Sequence, residues 1–397
     1  MKVIPGGVTA PKGFLAAGIY CGVKYRRKKD LSLIYSPKLA NAAAVFTTNK
    51  VQAAPVKVSK RHLKGGCLHA IIANSGNANC CTGRQGMAMA EKMAQVTAEC
   101  LKIANETEVA VCSTGIIGRQ LPEKALVDGI RNIARKISVR GFNAAAEAIL
   151  TTDTKIKQMA VSTQLGGVTV KIGAMCKGSG MIHPDMATML CFITTDANID
   201  AKWLKTALKS SAEKSYNRIS VDGDRSTNDT VIIMANGMAG NRLISNYDAD
   251  YRNFKKALDF INLTLAKKIV EDGEGATKLI EIEVINASRV KDAQRVARAV
   301  ANSALFKTAM YGENPNWGRI MAALGASGAR LDDERVDIFM NGKSAAHNGA
   351  PGKAHMKALI RAVKRKNIHI LINLKMGKRS FKMWSCDLSN QYVDINV

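Results

Sequence analysis

Short apolar runs rich in β-branched residues, bounded by Gly, Asn or Pro, recur along the whole chain. They lie at residues 43–47, 68–73, 109–113, 159–168, 189–195, 230–235 and 279–285, and each reads as a strand. Between them lie helix-like apolar periods at 87–104, 123–136, 142–150, 201–214 and 251–271, the fourth opening behind Asp200, a predicted N-cap. Strands and helices that alternate to the end of a chain exclude all-helical and all-β architectures, so the fold class is α/β. After residue 285 the pattern restarts. Helical stretches near 290–310 and 317–326 are followed by strands near 335–340 and 368–374, which flank a basic helix at 353–366. We expect a larger α/β domain over 1–286 and a smaller α/β domain over 287–397.

With 397 residues, 47% of them hydrophobic, the chain can bury a large core. No run approaches the roughly 18 apolar residues of a membrane span, and the start MKVIPGGVTAPKGF has no continuous apolar segment of the signal-peptide type. A cytoplasmic location is expected. The nine cysteines include one adjacent pair, Cys80 and Cys81, and the six histidines show no paired-ligand spacing, so no metal is expected. The net charge of +26 raises the question of nucleic acid. Aromatic residues, however, make up only 5% and do not interleave with the lysines and arginines, which favours a solvated basic surface.

Three cofactor signatures fail on inspection. Gly178-Ser179-Gly180 lacks the third glycine of a dinucleotide loop, and residues 273–278 lack the spacing of a phosphate-binding loop. In residues 222–229 oxygen-bearing side chains alternate, but Thr227 stands where a calcium loop needs glycine, and Ile233 where it needs glutamate. What remains is a set of small and polar loops at strand ends. The most distinctive is KGSGMIHPDMATML at 177–190, where Gly and Pro permit an unusual backbone path that leads straight into a strand at Thr188.

That segment resembles the self-processing segment of the ornithine acetyltransferases, the ArgJ family of glutamate N-acetyltransferases. Six further stretches resemble the family's other motifs in the same order: NSGNANCCTG at 74–83, STGIIG at 113–118, TTDTK at 151–155, SVDGDRSTNDT at 220–230, DGEGATK at 272–278 and NPNWGRI at 314–320. Arg225 departs from the family pattern, which usually has a small hydroxylated residue there.

The resemblance implies an αββα layered sandwich, within which 1–286 is catalytic, and cleavage between Ala187 and Thr188 into fragments 1–187 and 188–397. These fragments would assemble as an α2β2 heterotetramer. It implies acetyl transfer from N-acetylornithine to glutamate in arginine biosynthesis, by a ping-pong route through acetyl-Thr188 and without a cofactor. Acetyl-CoA as a second donor is left open. In these roles Thr188 is the nucleophile, Thr114 and Gly115 form the oxyanion hole, and Thr151, Lys177, Thr188, Glu274 and Asn396 contact the substrate. The residue types suit the chemistry, because an internal threonine lacks a base whereas an amino-terminal one carries an α-amine that can take its hydroxyl proton. Two alternatives stay open on sequence: a self-processing amidohydrolase of the N-terminal-nucleophile type, and a basic nucleic-acid-binding derivative without turnover.

Overall fold

The computed structural model describes residues 1–25, 27–183 and 189–397. The chain forms two compact units. The first holds Met1–Gly178, Asp185–Asn217 and Arg225–Ala266, and the second holds Ser179–Pro184, Arg218–Asp224 and Lys267–Val397.

Among the described residues, nine strands build the sheet of the first unit: β1 (Lys2–Ile4), β2 (Leu15–Ile19), β3 (Leu31–Phe46), β4 (Cys67–Asn77), β5 (Val109–Ile116), β6 (Lys157–Leu165), β7 (Val168–Lys177), β8 (Leu190–Thr195) and β9 (Thr230–Ala235). Their order is β1-β6-β7-β8-β9-β3-β4-β5, with β2 also on β3. The long strand β3 explains how one ladder makes two layers. Its ladder with β4 breaks between Tyr35 and Ala40, where Pro37 has no N–H to give. Before the break β3 pairs with β2 and β4, and after it Asn41–Phe46 pair with β9. The two halves face each other, so Ile34, Ile71 and Ala110 share a core with Met175, Phe192 and Ile232.

Helices cover both outer faces. Leu33, Ile72 and Val111 pack against Ala90, Met93 and Ile130 of helices Gly83–Leu101 and Glu123–Ala134. On the other side Cys191 meets the Tyr216 hydroxyl, and Asn262 donates to Ser211 of helix Ala201–Lys214. The αββα layering expected from the resemblance is present. Asp200 caps its helix by accepting the Lys202 N–H at 2.8 Å, as its sequence position predicts.

The second unit carries a six-stranded sheet of β10 (Leu279–Ala287), β11 (Asp337–Met340), β12 (Lys343–His347), β13 (Ala350–Pro351), β14 (Asn367–Asn373) and β15 (Arg379–Cys386), ordered β13-β12-β11-β14-β10-β15. Strand β10 alternates in the way a one-sided sheet requires. Ile280, Ile282 and Val284 enter the core, while Glu281 and Glu283 lie on the opposite face with His369, Lys382 and Trp384. The sequence places the division of the chain near 286, whereas β10 pairs with β14 and β15 and so draws everything from Lys267 into the second unit.

Three further expectations differ from what forms. The run at 159–168 is not one strand but the hairpin β6–β7, turned by Gly166 and Gly167 at φ +53° and +82°. The helical stretch at 290–310 is two helices, Val290–Asn302 and Ala304–Tyr311, parted where Ser303 leaves helical geometry to cap the second. The basic helix is shorter than expected, Met356–Val363. Among the described residues no helix is long and apolar enough to cross a membrane.

Candidate active site

In the first unit the polar strand ends converge where β4 and β5 finish, β7 finishes and β9 begins. Strands β4 and β5 run parallel, aligning Ser75 with Thr114 and Gly76 with Gly115 before the register shifts at Asn77. The backbones are unusually close there. A Cβ on Gly115, whose φ is +132°, would stand 2.3 Å from the Gly76 carbonyl carbon and 2.5 Å from the Asn77 nitrogen, so only glycine fits. Buried amides fix this edge: Ser113 donates to Asn74 at 2.6 Å, Asn74 donates to the Asn77 carbonyl at 2.9 Å, and Asn228 donates to the carbonyls of Ala78 and Ser113 at 2.7 and 2.9 Å. Such a saturated network holds a site rigid. The Thr114 hydroxyl, on a residue only 4% exposed, makes no hydrogen bond among the described residues and is therefore a donor without a job in the scaffold.

Asp153 organises the neighbouring edge. Its buried carboxylate accepts the Lys157 ammonium and the Gly178 N–H at 2.7 Å each through Oδ1, and the Thr151 N–H at 3.1 Å through Oδ2. Lys177 Nζ lies 3.8 Å from Oδ2. Burial alone would raise the Asp153 pKa, but the Lys177 and Lys157 charges and these hydrogen bonds outweigh it and hold the carboxyl well below the ordinary carboxylate range. Thr151 and Lys177 are thus brought together through one anion. Lys177 ends β7, is 3% exposed, and pairs across the ladder with Leu190 at the start of β8. Its ammonium makes no hydrogen bond among the described residues.

Ala187 and Thr188 lie outside the described residues. The next residue, Met189, donates its N–H to Asp229 at 2.7 Å, and Asp229 Oδ2 is buried without a hydrogen-bond partner among the described residues. Burial pushes the Asp229 carboxyl well above its usual range, against the pull of the Met189 N–H and the Lys177 charge.

In the second unit, Glu274 and Asn396 meet directly. Asn396 Nδ2 donates to Glu274 Oε2 at 2.8 Å and to the Tyr392 carbonyl at 2.9 Å. Glu274 is 9% exposed and lies against Gly180, where a Cβ would stand 2.4 Å from its Cδ. Tyr392, whose hydroxyl faces Asp222 at 3.4 Å, has its pKa pushed up to about 12 by burial and by the carboxylates of Asp222 and Glu274.

A family model described as the ArgJ family matches residues 15–397. The chain belongs to the ArgJ family. The arginine biosynthesis bifunctional protein ArgJ of Caldanaerobacter subterraneus subsp. tengcongensis is 48% identical over 400 residues, which cover 100% of this chain and 99% of that protein. The protein of the same name from Symbiobacterium thermophilum is also 48% identical, over 100% and 99%. A crystal structure of the Bacillus halodurans protein is 47% identical, covers 48% of this chain and 97% of that one, and superposes with a TM-score of 0.44.

Several residues of this ArgJ site escaped the sequence reading. Asp153 sits inside the TTDTK motif, and Asn228 and Asp229 sit inside SVDGDRSTNDT, but neither spacing announces which polar residue is buried. The signal available was the crowding of Asp and Asn at strand ends, where buried backbone groups need partners. Among the described residues, Glu281, Glu283 and His369 form one group that could offer atoms to a metal ion. Lys382 Nζ already stands 2.7 Å from Glu281 and 3.2 Å from Glu283, and Lys267 Nζ 3.7 Å from Glu281, so two ammoniums balance the two carboxylates.

Proposed function

We propose that this chain transfers an acetyl group from N-acetylornithine to glutamate through an ester on Thr188, a cytoplasmic step of arginine biosynthesis that needs no cofactor. The observation that carries the reading is 48% identity over the whole length to a protein named for arginine biosynthesis.

The chemistry starts with the chain itself. Thr188 Oγ1 attacks the Ala187 carbonyl carbon, the Ala187–Thr188 C–N bond breaks as its nitrogen takes a proton, and water then hydrolyses the resulting ester. Fragments 1–187 and 188–397 remain associated, two copies of each, and the new α-amine is the base that the hydroxyl lacked. In the first half-reaction the hydroxyl attacks the acetyl carbonyl of N-acetylornithine while the amine takes the hydroxyl proton and returns it to the departing ornithine nitrogen. The Thr114 hydroxyl and Gly115 N–H aim at the oxyanion, a contribution on the order of several kcal/mol per transition state. In the second half-reaction the glutamate amine attacks the acetyl ester and frees Thr188. Thr151 and Lys177 hold the substrate's carboxylate end, and Glu274 with Asn396 serves an amine. The word "bifunctional" in the relatives' names favours acetyl-CoA as a second donor to the same threonine.

Incubation with N-acetylornithine, with and without glutamate, tests this reading. N-acetylglutamate and ornithine are expected to accumulate in equal amounts over many turnovers when glutamate is present, and without glutamate no more than one ornithine per enzyme is released. Free acetate formed regardless of glutamate would instead identify an amidohydrolase.

A further inference from the structure

Lys24 has no part in the chemistry above, yet it touches two of its working parts. Its loop is pinned from below: the N–H groups of Cys21, Gly22, Val23 and Lys24 all donate to the Asp30 carboxylate, at 2.7 to 3.2 Å. The side chain then runs inward. Its stem lies on Gly76, where a Cβ would stand 2.8 Å from Lys24 Cγ, and Gly76 is the residue against which Gly115 closes. Its ammonium donates to the Leu150 carbonyl at 2.7 Å and to the Lys29 carbonyl at 2.8 Å. The Leu150 carbonyl belongs to the same peptide unit as the Thr151 N–H, which binds Asp153 Oδ2, the oxygen beside Lys177. One peptide plane is therefore clamped from both sides, by a cation at its oxygen and by an anion at its nitrogen.

We propose that Lys24 is a positioning residue for the acyl transfer: its ammonium fixes the 150–151 peptide that presents Thr151 to the substrate, and its stem seats the Gly76–Gly115 contact behind the oxyanion site. The proposal rests on the reading given under Proposed function. The two halves of the side chain have separable duties. The head acts on substrate binding, and the stem acts on the transition state. The charges facing the ammonium are Asp30 and Asp153, which favour its protonated form, and Lys177 and Lys28, which oppose it. Burial is the largest influence, and the Lys24 pKa is lowered to about 8. The head is thus charged below that pH and loses its charge above it, which weakens both carbonyl bonds.

The test compares Lys24→Met, which keeps a stem, with Lys24→Ala, which removes it. In Lys24→Met the KM for N-acetylornithine rises about tenfold with kcat nearly kept, whereas Lys24→Ala loses kcat as well. The wild-type KM climbs as pH rises through about 8, and that climb is absent in Lys24→Met. Wild-type KM and an unaltered pH profile in Lys24→Met would overturn the proposal, and so would equal loss of KM and kcat in both variants with matching falls in Tm. If the wild type transfers no acetyl group, the functional reading fails, and amide hydrogen exchange still decides the role of Lys24. Exchange over residues 150–156 is faster in Lys24→Met if the clamp is real, and unchanged exchange contradicts it.

Discussion

Both units bury lysines, and they use them differently. In the second unit Lys278 Nζ donates to the carbonyls of Met310 and Val363 at 2.7 and 2.9 Å, near the ends of helices Ala304–Tyr311 and Met356–Val363. It places a cation at the negative ends of two helices. Lys307 is similarly occupied, by the Cys386 carbonyl at 2.6 Å and Ser385 Oγ at 3.3 Å. In the first unit, Lys157 and Lys177 share one buried carboxylate, and Lys177 approaches it only at 3.8 Å. A buried ammonium whose donors meet carbonyls is a staple. One that keeps its donors beside an already satisfied anion leaves them open to a second anion, which in the function proposed above is the carboxylate of an amino acid.

The contrast is open to direct attack. The largest effect is expected from Asp153→Asn, which removes the buried carboxylate that Lys157 and Lys177 share and costs about 3–5 kcal/mol of stability at neutral pH. The pKa of Asp153 is depressed in the folded state, so its contribution is complete above the ordinary carboxylate pKa and is lost as pH falls through the lower folded value. Denaturant titrations of wild type and variant should therefore converge only in strong acid, and convergence near pH 4 would contradict the assignment. Next comes Lys177→Met, for which kcat/KM falls about 100-fold, or roughly 2.7 kcal/mol, while the loss of stability is smaller than in Asp153→Asn because Lys157 still faces Asp153. A fall in Tm without a kinetic loss would make Lys177 a staple instead. The smallest is Lys278→Met, with a loss of about 2 kcal/mol in unfolding free energy and no change in turnover per folded molecule.

Much of this was legible in the residues, and what was not has identifiable causes. The alternation in β10 and the N-cap at Asp200 are local signals, and both form as the pattern dictates. Strand β3 is 16 residues long, but Ser36-Pro37-Lys38 interrupts its pattern, because that stretch is where the ladder breaks as the strand passes between layers. The pair Gly166-Gly167 was a turn signal inside an otherwise continuous apolar run, and its weight was underestimated. At the site, each motif was visible as a cluster of polar and small residues. The partnership of Lys24, Asp153 and Lys177 was not, because Lys24 and Asp153 lie in two separate loops and Lys177 at the end of β7, and only the folded chain brings them into reach.

The account depends most on Thr188 becoming an amino terminus and then an acetyl carrier. Intact mass spectrometry of the wild type and of Thr188→Ala, each before and after N-acetylornithine without glutamate, tests it most directly. The wild type should give fragments 1–187 and 188–397, the second gaining one acetyl group, and Thr188→Ala should give one unmodified chain. An uncleaved wild type that still transfers acetyl groups at full rate would contradict it.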